Sequence, residues 1–273
     1  MAIDAEQERL YNARAAVPDY GDYFARWGLR SEGFRKTAGG RLDIPYGISA
    51  GQRFDLFPAA SGAPLLMFIH GGYWQGLDKS MFSFVAEALV ESGIAVAVVG
   101  YDLCPAVTIG HIAGEIRRVA SFLERNADDL GFDGGRLYVS GHSAGGHLTA
   151  MVMAGGGAEI AKIRGGVAIS GLFDLAPLIE TTMNEKLGLD ETSARANSPL
   201  YMNPAGDAPL LLAVGADESA GFRDQSDRLA DAWGDRCRRL DIAGRHHFSV
   251  VESLAEADGV IFQAVRAMIL GGE

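Results

Sequence analysis

Several short stretches of this chain are apolar at almost every position instead of every second one. They are Leu65-Leu66-Met67-Phe68-Ile69, Ile94-Ala95-Val96-Ala97-Val98-Val99, Leu137-Tyr138-Val139, Val167-Ala168-Ile169-Ser170 and Leu210-Leu211-Leu212-Ala213-Val214. Runs of this length without alternation are expected for parallel strands buried on both faces. Between them the apolar positions follow a helical period. Met81, Val85, Ala88 and Leu89 recur at i, i+4, i+7 and i+8 behind a Ser80 cap, with Gly93 as the stop; Ile112, Ile116, Val119 and Leu123 form a second stripe, and Phe222, Leu229 and Trp233 a third. Strand and helix therefore alternate, which predicts an α/β fold with helices on both faces of a mostly parallel sheet.

The flanks differ in pattern. Leu42-Asp43-Ile44-Pro45-Tyr46 and Arg53-Phe54-Asp55-Leu56-Phe57 alternate and are separated by Gly51, so they read as an antiparallel hairpin. Cys237 to Ile242 reads as the last strand and Phe248 to Leu270 as the closing helix. The total is about eight strands with an antiparallel start. Residues 1–36 carry Tyr11, Tyr20, Tyr23, Phe24 and Trp27 among arginines without a clean period, and support a short helix from about Gly21 to Trp27. Residues 172–207 also lack a strong period. Both segments are expected to shape or cover a pocket.

Composition narrows the function classes. The chain has 273 residues and no compositional break, so a single domain over residues 1–273 is expected. Its formal charge of −11 leaves no basic patch to hold nucleic acid or an anionic membrane surface. The acidic, polar amino-terminal stretch lacks the layout of a secretion signal, and no apolar run is long enough to span a bilayer, so a cytoplasmic location is expected. Cys104 and Cys237 are far apart and read as free thiols. The histidines show no metal-binding spacing, and no phosphate-binding glycine motif follows a strand, so neither a metal nor a nucleotide cofactor is expected. The remaining partner is a small molecule; self-association as a homodimer stays open.

The chemistry gathers at strand ends. Gly141-His142-Ser143-Ala144-Gly145-Gly146 lies between a strand and a helix, the context of a G-x-S-x-G nucleophile elbow, where small neighbours let strand and helix pass closely and leave the serine exposed. Gly215-Ala216-Asp217-Glu218 follows a later strand, and Gly244-Arg245-His246-His247-Phe248 follows the last. Ser143, Asp217 and His247 then form the nucleophile, acid and base in the α/β-hydrolase order, with Glu218 and His246 as alternatives to their neighbours. His70-Gly71-Gly72-Tyr73-Trp74 follows another strand and places the amides of Gly72 and Tyr73, with that of Ala144, as oxyanion donors. Tyr73 and Trp74 are expected to wall the acyl pocket. His70 and His142 are read as braces of the two turns, and His147 as a hydrogen-bonded core residue.

Taken with Tyr101-Asp102-Leu103-Cys104-Pro105 and His247-Phe248, the two glycine motifs make residues 60–255 resemble the kynurenine formamidase (arylformamidase) branch of the α/β-hydrolases, close to the hormone-sensitive-lipase-like esterases. The H-G-G-Y-W form carries most of the specificity, because related esterases more often have a third glycine where this chain has Tyr73. The resemblance implies a triad of Ser143, Asp217 and His247 and a serine hydrolase of an N-formyl aryl amide or a small ester. A broad carboxylesterase and a hydrolase-fold protein without catalysis are the alternatives.

Overall fold

The alternating hairpin and the apolar runs take their expected places in one eight-stranded sheet. A computed structural model describes residues 3–154 and 161–271. The strands are β1 (Arg41–Pro45), β2 (Arg53–Phe57), β3 (Ala63–Ile69), β4 (Ala95–Val99), β5 (Phe132–His142), β6 (Ile163–Ile169), β7 (Leu210–Gly215) and β8 (Cys237–Ile242). Their order in the sheet is β1-β2-β4-β3-β5-β6-β7-β8. The β1–β2 and β2–β4 pairs are antiparallel and every later pair is parallel. Strands β3, β4 and β7 are buried along their whole length, which is the physical reason for their unbroken apolar runs.

The helical stripes are present with corrections at their ends. Ile112, Ile116, Val119 and Leu123 lie buried on the helix Ile109–Arg125, and Phe222, Leu229 and Trp233 on Ala220–Trp233. The Met81 to Leu89 stripe is not one α-helix: it is divided into 3-10 turns at Lys79–Met81 and Ser83–Ala86 and a short α-helix at Glu87–Glu91. Its cap is Asp78, whose carboxylate accepts the Ser80 amide at 2.9 Å, and not Ser80 itself. The closing helix begins only at Val260, after a 3-10 turn at Val250–Leu254. Gly259 makes the break; a Cβ there would lie 2.1 Å from the Ser253 carbonyl oxygen.

The amino-terminal arm is the largest departure. It forms helices at Ala5–Tyr11, Ala13–Ala16 and Tyr20–Thr37, the last extending ten residues past Trp27, where the expected helix ended. Its buried face runs through Tyr20, Phe24, Trp27, Ser31 and Phe34. The period is hard to read because a serine occupies one core position: Ser31 is buried, and its Oγ accepts the Phe84 amide at 3.1 Å. Trp27 is fully buried against Phe82, Phe84 and Phe248. Residues 172–207 form short turns of helix, and the arm binds them through the Asp4 amide on the Glu180 carbonyl and Glu8 on Thr182. Among the described residues no helix is long and apolar enough to cross a membrane.

Candidate active site

Strand register delivers Ser143 to the centre of the sheet. Gly141 pairs with Ile69 of β3 and His142 with Ile169 of β6, so the chain turns at the carboxyl end of β5, between these two neighbours. Ser143 sits at φ 58° and ψ −119°, a conformation that L-residues rarely adopt, and the helix Ala144–Met153 starts at the next residue. The turn leaves no room for side chains beside it. A Cβ on Gly141 would be 2.3 Å from the Gly145 carbonyl oxygen, and one on Gly145 would be 2.0 Å from that of Ile69. The glycine spacing of the motif is therefore a steric requirement of this crossing.

The serine hydroxyl reaches His247: Oγ lies 3.0 Å from Nε2. On the other side of the ring, Nδ1 donates to Oε2 of Glu218 at 2.7 Å. All three side chains are buried. The carboxylate behind the histidine is thus Glu218, and the assignment of that place to Asp217 is corrected. After β7 the Asp217 amide donates to the Arg245 carbonyl and the Glu218 amide to that of Gly215; the turn leaves Asp217 exposed and directs Glu218 inward. The longer side chain spans the gap. Its second oxygen, Oε1, accepts the Gly215 amide at 2.8 Å and the Ser170 hydroxyl at 2.5 Å. Ser170 was not anticipated as part of the site. It follows β6 at φ 51°, and a polar residue ending an apolar strand was the only trace it left in the sequence.

The other histidines separate by partner. His246 faces away, with Nε2 3.0 Å from the Tyr23 hydroxyl. His142 donates from Nε2 to the backbone carbonyl of His247 at 2.7 Å and so ties the elbow to the loop that carries His247. His147 donates to the Asn197 carbonyl at 2.7 Å, and His70 stacks on Tyr101 with ring centroids 4.3 Å apart. Burial holds the imidazoles of His142, His147 and His70 neutral, pushing them down to about 3, about 4 and about 4. The unfolded chain would bind these protons near pH 6.5, whereas the folded chain does not. Stability should therefore be complete above pH 6.5 and fall as the pH drops towards 4, by up to about 1.4 kcal/mol per pH unit for each histidine. Urea midpoints measured across pH 4–7.5 would show this slope.

The loop after β3 packs directly on the elbow. A Cβ on Gly71 would lie 2.8 Å from the His142 carbonyl oxygen and 3.1 Å from the Ser143 Cβ. Gly72, Tyr73 and Trp74 all have positive φ, at 116°, 51° and 55°. Among the described residues the amides of Gly72, Tyr73 and Ala144 donate to no acceptor within the protein, whereas the Ser143 amide is already used by Ile169. Tyr73 holds a backbone geometry suited to glycine, and its hydroxyl donates to the Tyr11 carbonyl, so it anchors the arm to this loop. Trp74 does not wall the site as expected. It is fully buried, edge-on to His147 with ring centroids 4.9 Å apart.

A cavity of about 30 Å³ beside Ser143 and His247 is lined by Tyr73, Phe248 and, from the arm, Ala13, Arg14, Phe24 and Trp27. A second, of about 420 Å³, shares Ala13 and His247 with it and is lined also by Asp19, Asp217 and Phe222. The arm, expected from the sequence to shape or cover a pocket, lines both cavities. Elsewhere, Asp102, His111 and Glu115 bring three potential metal-ligating atoms within 4.8 Å of one another. Both Glu115 oxygens already accept protein donors, from Gln52 at 2.6 Å and the Asp102 amide at 2.9 Å.

The chain is similar to known hydrolases in sequence and in fold. Residues 56–232 match the BD-FAE family. The chain is 31% identical to a kynurenine formamidase from Salmo salar over 88% of its own length and 84% of that protein. It superposes with a TM-score of 0.87 on the crystal structure of a candidate thioesterase from Silicibacter sp. TM1040, at 36% identity, covering 98% of this chain and all of the other. Thermogutta terrifontis esterase 2 shares the fold at a TM-score of 0.65 and 20% identity, over 84% of this chain and 92% of that one. The chain belongs to the BD-FAE family of α/β-hydrolases and to the family of the kynurenine formamidases.

Proposed function

We propose that the protein is a serine hydrolase that releases formate from an N-formyl aryl amide, with Ser143, His247 and Glu218 as nucleophile, base and orienting acid. The observation that carries this reading is the hydrogen-bonded line Ser143–His247–Glu218, assembled from three strand-end loops in a chain related to formamidases. His247 takes the hydroxyl proton as Ser143 attacks the formyl carbon, and the amides of Gly72, Tyr73 and Ala144 hold the oxygen that becomes negative. The imidazolium passes its proton to the amide nitrogen, the C–N bond breaks, and the arylamine leaves a formyl ester on Ser143. Water, deprotonated by His247, attacks that ester; the proton returns to Ser143 and formate departs. The larger cavity gives this water a route to His247.

A formyl group asks for almost no acyl pocket, and the space beside Ser143, about 30 Å³, suits that. An aryl ring would lie against Phe24, Tyr73 and Phe248, and it needs the arm to shift, because a cavity that holds benzene measures about 150 Å³. The reading is tested by comparing kcat/KM for N-formyl-L-kynurenine, p-nitrophenyl acetate and butyrate, and an acyl thioester. The formamide should lead by tenfold or more. A lead for the butyrate would make the protein a broad carboxylesterase instead. Failure of a fluorophosphonate to add mass at Ser143, with no turnover of any substrate, would leave a non-catalytic member of the fold.

A further inference from the structure

The cavity beside Ser143 contains one permanently charged side chain, and the mechanism above does not use it. Arg14 lies in the short helix Ala13–Ala16 of the arm, and its guanidinium carbon sits 5.6 Å from the Tyr20 ring centroid and 5.8 Å from that of Phe24. Other arginines around the site are occupied: Arg26 by Glu252 at 2.8 Å, Arg228 by Asp174 at 2.8 Å and Arg245 by Glu256 at 2.6 Å. Among the described residues Arg14 has no carboxylate within ion-pair distance, in a chain whose acidic residues outnumber its basic ones by 35 to 24. The guanidinium lies over these two rings, and Arg14 lines the same aromatic cavity as Ser143. Arg14 is exposed, so its donors face solvent and are open to a ligand.

We infer that Arg14 is a specificity-determining residue that selects substrates whose aryl group carries a carboxylate. The inference rests on the formamidase reading above. A formylated aniline bearing an α-amino acid presents an aromatic ring, for which Phe24, Tyr73 and Phe248 supply matching faces, and beyond it a carboxylate, for which a guanidinium is the matching fork. The arm then recognises the leaving group while the strand-end loops act on the formyl group. Tyr73 joins the two functions through its hydroxyl on the Tyr11 carbonyl, three residues before Arg14.

The experiment pairs a substitution with removal of the same charge from the substrate. N-formyl-L-kynurenine and N-formylkynuramine differ in the carboxylate, and both are assayed with wild type, Arg14→Gln and Arg14→Lys. Arg14→Gln should raise KM for the carboxylate-bearing substrate about tenfold with kcat within about threefold, and Arg14→Lys should recover part of this. The loss on N-formylkynuramine should be at least about fivefold smaller. Added salt should raise the wild-type KM for the anionic substrate and have less effect in Arg14→Gln, as expected for a partly exposed ion pair. Thermal unfolding of each variant reports whether the arm is still docked. Equal losses on both substrates, or no loss on either, would overturn the proposal and leave Arg14 a packing residue. If wild type is labelled at Ser143 and hydrolyses esters but neither formamide, the substrate reading itself fails and this inference falls with it.

Discussion

Ser143→Ala is expected to lower kcat by about 10⁵- to 10⁶-fold while leaving KM and the fold nearly unchanged. The size follows from the geometry. Without Oγ there is no nucleophile for His247 to deprotonate, and what remains is water attack aided by the free amides of Gly72, Tyr73 and Ala144. Because histidine and acid work only through the serine, removing either of them from the Ser143→Ala protein should cost little more. The backbone should tolerate the change. Alanine has the same Cβ as serine in the strained turn at φ 58°, and the backbone bonds from the Ser143 amide to Ile169 and from the His147 amide to the Ser143 carbonyl remain. Steady-state kinetics with unfolding curves on the same preparation would check both halves. Retention of more than about a hundredth of wild-type kcat would remove Ser143 from the chemistry.

The second large effect decides between two adjacent acids. Glu218→Gln should lower kcat by about 10³- to 10⁴-fold, whereas Asp217→Asn should change it by less than about threefold. In Glu218 one carboxylate oxygen accepts from the Gly215 amide and the Ser170 hydroxyl, and the other accepts from Nδ1 of His247. A glutamine must leave its carbonyl oxygen on those two donors. Its NH₂ group then faces Nδ1, which obliges the imidazole to carry its proton on Nε2 instead, where it cannot take one from Ser143. The negative charge that stabilises the imidazolium is lost as well. Asp217 is exposed and makes none of these contacts. If Asp217→Asn proved the damaging change and Glu218→Gln the mild one, the arrangement drawn from the hydrogen bonds would be wrong.

That pair of residues also shows where sequence reasoning stops. The elbow was legible because its constraints are local: Gly141, Ser143 and Gly145 must be small or strained to let β5 and its helix pass β3, so the requirement is written in consecutive residues. The same holds for the sheet, whose buried strands exclude polar residues along β3, β4 and β7. Of the two adjacent histidines it is His247 that meets Ser143, because the two rings point to opposite sides, one to Tyr23 and the other to Ser143. For the acid, shorter and earlier seemed better, and the turn reversed that preference. Nothing within Gly215-Ala216-Asp217-Glu218 reveals that Arg245, thirty residues on, will accept the Asp217 amide and rotate Glu218 inward.

The arm was obscure for a related reason. Its long helix is held by Trp27 and Ser31 against turns that follow β3 and by Phe34 against Phe57 of β2, so its buried face is set by surfaces distant in sequence and includes a serine. Trp74 looked like a pocket wall because it adjoins the glycine pair, yet positive φ at Tyr73 and Trp74 turns the indole into the core. By itself, then, the order of residues determined the strand and helix alternation, the turn that carries Ser143 and the loops that surround it, because backbone hydrogen bonding, burial and close passage act over a few neighbouring positions. Only the tertiary structure decided which carboxylate supports His247, what encloses Ser143 and where Arg14 lies. Those outcomes depend on side-chain length and direction across segments brought together by folding, and no local pattern encodes such distances.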